Sequence, residues 1–172
     1  PALSALAQGS GISVLVRAYQ LTGDDTFLQA ARRVMQTFER DILDGGINTP
    51  IGDDGIFFEE IATYPASHAL RGHLFALFGL YDYMQITGGS KVEPLLQCGL
   101  TTLHLVIDAF DSGYWTYSDL LHKPLASTLD HALHVQLLAA LATYTHCGEY
   151  ATVAKGWDMY QQRFACRLRY LI

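Results

Sequence analysis

Two adjacent carboxylates, Glu59-Glu60, close a short apolar run, Gly55-Ile56-Phe57-Phe58. A carboxyl group in a partly dry cleft can act as a general acid or base, whereas on an exposed strand it is only a solvated charge. Successive side chains of a strand point to opposite faces, so the two glutamates do not share one role. His131 and His134 are spaced for one helix face. They could ligate a metal, but two ligands without a third fall short of a site, and substrate binding or a satisfied buried histidine are the other readings. Arg17 and Arg71 have two readings as well. One is a clamp that grips a carboxylate through paired hydrogen bonds, and the other is an ordinary surface ion pair.

The elements that must position these residues are helical hairpins. Ile12, Leu15, Val16 and Tyr19 follow helical spacing, and so do Phe27, Ala31, Val34 and Phe38 after the break at Thr22-Gly23-Asp24-Asp25. In that break Gly23 suits a left-handed helix end, and Asp24 or Asp25 suits the next N-cap. A helix through Leu70–Tyr83 meets Thr87-Gly88-Gly89-Ser90 and restarts toward Phe110. Another through Leu133–Tyr144 meets His146-Cys147-Gly148-Glu149 and restarts toward Phe164. The turn glycines Gly23, Gly88 and Gly148 stand 65 and 60 positions apart, which marks a repeated helix-turn-helix unit. The expected fold is therefore all-α, with antiparallel helical hairpins forming part of an α/α toroid and function placed in the loops between hairpins.

Two of those loops read differently from the helices. Gly45-Gly46-Ile47-Asn48-Thr49 and Gly55 to Ile61 flank Gly52-Asp53-Asp54, a pattern that predicts a short β-hairpin between the first and second helical hairpins. Asp111-Ser112-Gly113 predicts a turn, and Tyr114-Trp115-Thr116-Tyr117 has strand character.

With 172 residues, half of them apolar, the chain fits a single domain over residues 1–172. A net charge of -6 with 16% charged residues offers no basic patch for nucleic acid. No apolar run reaches the roughly 20 residues of a membrane span, and no signal peptide is visible. That pattern reads as cytoplasmic if the chain is complete, but a start at Pro1 without Met points to a piece of a longer chain. Cys98, Cys147 and Cys166 are odd in number and lack paired spacing, so they read as reduced thiols.

Six short segments, in order, resemble the C-terminal domain of glucuronyl C5-epimerases. They are Ala7 to Tyr19, Glu59-Glu60, Tyr64-Pro65, Gly79-Leu80-Tyr81-Asp82, Asp111-Ser112-Gly113 with Ser118-Asp119-Leu120, and His131 with His134. The resemblance implies conversion of glucuronate to iduronate in heparan-type chains, with a uronic-acid glycan as partner. The reaction needs no redox or metal cofactor. It also implies a β-rich region that precedes this domain in family members, and a possible homodimer that completes the cleft. The reaction removes the proton at C5, beside the uronate carboxylate, and returns one from the opposite face; it needs a base, an acid and donors for the growing negative charge.

Carried over by position, the second glutamate of the pair is Glu60, leaving Glu59 a structural role. Three tyrosines of the family pattern fall on Ile61, Ser118 and Asp130. Tyr64 and Tyr117 are the neighbouring phenols that could compensate, Tyr117 only through a bulge or a register shift, and Asp130 could act as a carboxylate base or cap a helix beginning near His131. Gln8 is a candidate for a sugar hydroxyl or for capping, and Trp115, with Tyr114 and Tyr117, for a sugar-stacking platform or the rim of the core. The missing phenols keep other functions open: a lyase-like β-elimination that starts with the same proton abstraction, a non-catalytic glycan-binding domain, or a helical repeat without a ligand.

Overall fold

The computed structural model describes residues 2–89 and 91–171. Ser90 of the expected turn lies outside the described residues. Among these residues the chain is mostly helical, with seven α-helices and one two-stranded antiparallel hairpin, and it falls into two compact units, Pro1–Leu105 and Val106–Ile172.

The first unit begins with α1 (Ala5–Thr22) and α2 (Asp25–Met35). Gly23 ends α1 with φ 70°, its N–H donating to the Tyr19 carbonyl, and the Asp24 carboxylate caps α2 by accepting from the Thr26 N–H. The β-hairpin follows as β1 (Asn48–Ile51) and β2 (Gly55–Phe58), with Asn48 opposite Phe58 and Ile51 opposite Gly55. Its position between the first and second helical hairpins matches the sequence reading. Then come α3 (Leu70–Thr87) and α4 (Glu93–Val106). Helices α1 and α3 cross closely: a Cβ on Gly79 would lie 2.6 Å from Gly9 Cα. Around this crossing Ile12, Leu74, Leu77, Leu80, Phe57 and Phe58 are fully buried.

The second unit holds α5 (Thr128–Thr145), α6 (Gly148–Gln162) and α7 (Phe164–Leu171). Two expectations change here. The left-handed residue that ends α5 is His146, φ 54°, while Gly148 is the first residue of α6. Histidine is one of the side chains that tolerate this conformation, so a glycine is not required and the glycine spacing misplaces the third turn by two residues. The helices give the true register: α3 and α5 are both 18 residues long and start 58 positions apart. Second, Tyr114 to Tyr117 forms no strand, only isolated bridges pairing Asp111 with Thr116 and Tyr117 with Leu125. The nearby turn leaves too little extended partner backbone for a ladder.

Candidate functional site

Glu59 and Glu60 follow the end of β2 and meet different partners. Glu60 packs its backbone against α3 at Gly72, where any Cβ would collide with Glu60 Cα and Cβ. Its half-buried carboxylate meets Arg71 from the same helix: Arg71 Nε donates to Oε2 at 3.3 Å, and Nη2 donates to Oε1. Two residues singled out separately in the sequence are thus one bidentate pair. Such a pair adds geometric definition as well as energy.

Glu59 is completely buried. Its Oε1 accepts from Thr49 Oγ1 at 2.5 Å and faces His68 Nδ1 at 2.6 Å, and its Oε2 accepts the His68 backbone N–H at 2.9 Å. Its own backbone bridges the unit, the N–H donating to the Ile47 carbonyl and the carbonyl accepting from the Ala5 N–H. A buried charge persists only where such partners compensate it.

Behind this carboxylate lies His73, buried and stacked on Phe57 with centroids 4.4 Å apart. The Phe58 N–H donates to Nδ1 and Nε2–H donates to the Gly99 carbonyl, both at 3.0 Å. Burial pushes the imidazole pKa down to about 4, so the ring stays neutral in the tautomer that these two bonds demand.

The second unit repeats this arrangement 58 residues later. His131 is buried and stacks on Trp115 with centroids 3.9 Å apart; its Nδ1 faces Thr116 Oγ1 at 2.9 Å and its Nε2–H donates to the Trp157 carbonyl at 3.2 Å. Burial lowers its pKa as well. Thr116 Oγ1 also lies 3.0 Å from His134 Nδ1. With His131 neutral, the Thr116 hydroxyl donates to His131 and accepts from His134, which fixes the tautomers of both rings. Trp115 is buried, donates Nε1–H to the Ala126 carbonyl and stacks on Tyr170 of α7. The Asp111 carboxylate accepts from Trp157 Nε1 at 3.0 Å and from the Tyr160 hydroxyl at 3.1 Å. Burial, and then that carboxylate, raise the Tyr160 phenol to about 12.

The other candidates are placed as follows. Asp130 is the third residue of α5, where its N–H donates to Ser127 Oγ and its Oδ2 accepts from the same hydroxyl; Ser127 is the cap, and the helix starts at Thr128 rather than near His131. Gln8 lies in α1, whose cap is Ser4. Arg17, mostly exposed, pairs with Asp82 at 2.9 Å. Tyr64 is 81% exposed. Tyr117 has Lys123 Nζ 5.8 Å from its ring centroid. Among the described residues no group of three or more His, Cys, Asp or Glu side chains is arranged to hold a metal, and no helix is long and apolar enough to cross a membrane.

Sequence reasoning missed His68 and the Glu59 pairing. The segment Ala66-Ser67-His68-Ala69 has no period to flag, and His68 reaches Glu59 only because its backbone turns into the left-handed region at φ 54°.

Comparison with known proteins places these residues in context. The family model described as the D-glucuronyl C5-epimerase C-terminus matches residues 1–159. The D-glucuronyl C5-epimerase of Caenorhabditis elegans is 34% identical over 157 residues, covering 81% of this chain and 25% of that protein. An uncharacterized protein of Methanocaldococcus jannaschii is 26% identical over 137 residues, covering 78% of this chain and 44% of that protein. The chain thus spans about a quarter and under half of these relatives' lengths.

Proposed function

The chain belongs to the D-glucuronyl C5-epimerase C-terminal family, and from that premise we propose that it serves uronate C5 epimerisation on a uronic-acid-containing glycan. The family match over residues 1–159 carries this reading, and the Glu60–Arg71 pair supports it chemically. In the proposed step the Glu60 carboxylate takes the C5 proton, and the C–H electron pair moves into the uronate carboxylate to give an enediolate. A protonated group on the opposite face then returns a proton to C5 with inversion. The Arg71 guanidinium beside Glu60 brings positive charge to the pair, which would offset the charge that grows on a uronate carboxylate. Tyr64, which shares a cavity wall with His68, is not assigned the second proton. Tyr117 and Asp130 belong to the other unit and enter as individual candidates. The preceding β-rich region, a second copy of the chain and a toroidal arrangement of the hairpins are proposed on family resemblance to complete the cleft.

A second reading, a non-catalytic glycan-binding domain, draws on Ile61, Ser118 and Asp130 standing where the family pattern has tyrosines. One experiment separates them. Incubated with glucuronate-containing glycans in deuterated water, the full-length protein is expected to place deuterium at C5, and Glu60→Gln to suppress exchange at least a hundredfold, the lower range for a general acid–base group. Glycan binding without exchange favours the second reading, and an unsaturated product absorbing in the ultraviolet would assign β-elimination instead.

A further inference from the structure

A cavity of about 330 Å³ has Tyr64, His68, Thr49 and Asp41 in its wall. His68 differs from the two buried histidines in how its ring nitrogens are spent. At His73 and His131 both nitrogens are hydrogen-bonded within the protein. At His68 the Nδ1 is held by the buried carboxylate of Glu59, while Nε2 has no hydrogen-bond partner among the described residues and the side chain is 25% exposed. Glu59 accepts at both oxygens, so in the neutral ring Nδ1 carries the proton and Nε2 carries a lone pair. A carboxylate that fixes the tautomer in this way also makes the distal nitrogen a better acceptor.

The cavity wall narrows what this acceptor receives. No lysine or arginine lines it, and Asp41 contributes a carboxylate whose Oδ1 is occupied by the Leu43 N–H. A uronate carboxylate would be opposed there by Asp41 and by nothing cationic. A hydroxyl is complementary, because Nε2 and the Asp41 carboxylate both accept O–H donors. The exposed Tyr64 ring adds a flat apolar face of the kind that packs on the C–H side of a sugar.

We propose that the Glu59–His68 pair and Tyr64 form a binding site for a neutral, hydroxyl-bearing sugar unit, with His68 Nε2 accepting one of its hydroxyls. The sugar as ligand rests on the glycan reading above, whereas the tautomer and the open Nε2 rest on geometry alone. Glu59 and Glu60, adjacent in sequence, hold different partners, His68 and Arg71, so one residue would serve a neutral unit and the other a uronate.

Nitrogen-15 NMR of the histidine rings, with methyl β-glucopyranoside as the probe, tests this. The free protein should show His68 as the Nδ1–H tautomer, and the probe should shift His68 Nε2 and the Tyr64 ring signals. His68→Asn should raise the probe's Kd about fivefold, the loss of one hydrogen bond. Asparagine tolerates the left-handed backbone, so the N–H to Glu59 is kept. Tyr64→Ala, a change at an exposed position, should weaken binding to a similar extent. An Nε2–H tautomer, a probe that leaves both residues unshifted, or unchanged affinity in both variants would overturn the site. The probe carries no uronate, so failure of C5 exchange with uronans leaves this outcome intact, and an unshifted His68 with exchange preserved refutes this site alone.

Discussion

Replacing His73 by glutamine should flatten the acid side of the stability profile. The folded chain holds His73 neutral down to a pKa of about 4, against an ordinary value of 6.5, because burial penalises the imidazolium and the Phe58 N–H already occupies Nδ1. Unfolded, the ring binds a proton near its ordinary pKa. Between these two values the unfolded state therefore carries more protons, and stability must fall as pH falls. Two and a half pH units at about 1.4 kcal/mol each, less the part lost because each state is only half titrated at its own pKa, amount to a loss of about 3 kcal/mol between pH 6.5 and pH 4. That is a large share of a small domain's stability. Other groups add their own slopes, His131 with the same sign. The informative quantity is thus the difference between wild type and His73→Gln in urea unfolding from pH 4 to pH 8. The glutamine amide keeps one donor and one acceptor but cannot titrate. The variant should be less stable at pH 8, through lost stacking on Phe57, and the gap should narrow steadily below pH 6.5. Parallel curves across the whole range, or an NMR titration of His73 centred near 6.5, would refute the reasoning.

Three further changes test the packing around the candidate sites. Gly72→Ala should displace Glu60, since the added methyl has only Glu60 backbone and Cβ to push against; a loss of about 1–3 kcal/mol in urea unfolding and a matching fall in C5 exchange are expected. Thr102→Val should stabilise the protein by about 1 kcal/mol, read as a higher Tm, because the buried Thr102 hydroxyl has no partner among the described residues and a methyl of similar size removes that cost. Ser127→Ala should cost about 1 kcal/mol in urea unfolding by removing the α5 cap.

The helical hairpins were legible because their signals are local. Apolar periodicity, the left-handed Gly23 and the Asp24 cap act within a few residues, and the β-hairpin declared itself through two apolar runs around Gly52-Asp53-Asp54. The same local logic misplaced the third turn, because a histidine took the conformation usually left to glycine.

The ordered short motifs were also enough to identify the family, since that match depends on residue identity alone. The partners of the charged residues were not legible. Arg71 and Glu60 are 11 positions apart and meet only because α3 returns against the end of β2. His68 reaches Glu59 through a single left-handed residue, and His73 is neutral because the fold buries it completely. Sequence therefore determined the elements and the kinds of chemistry on offer. Only the tertiary structure decided which carboxylate is buried, which is paired with a cation and which imidazole nitrogen stays open, because burial and hydrogen-bond occupancy are set by residues distant along the chain.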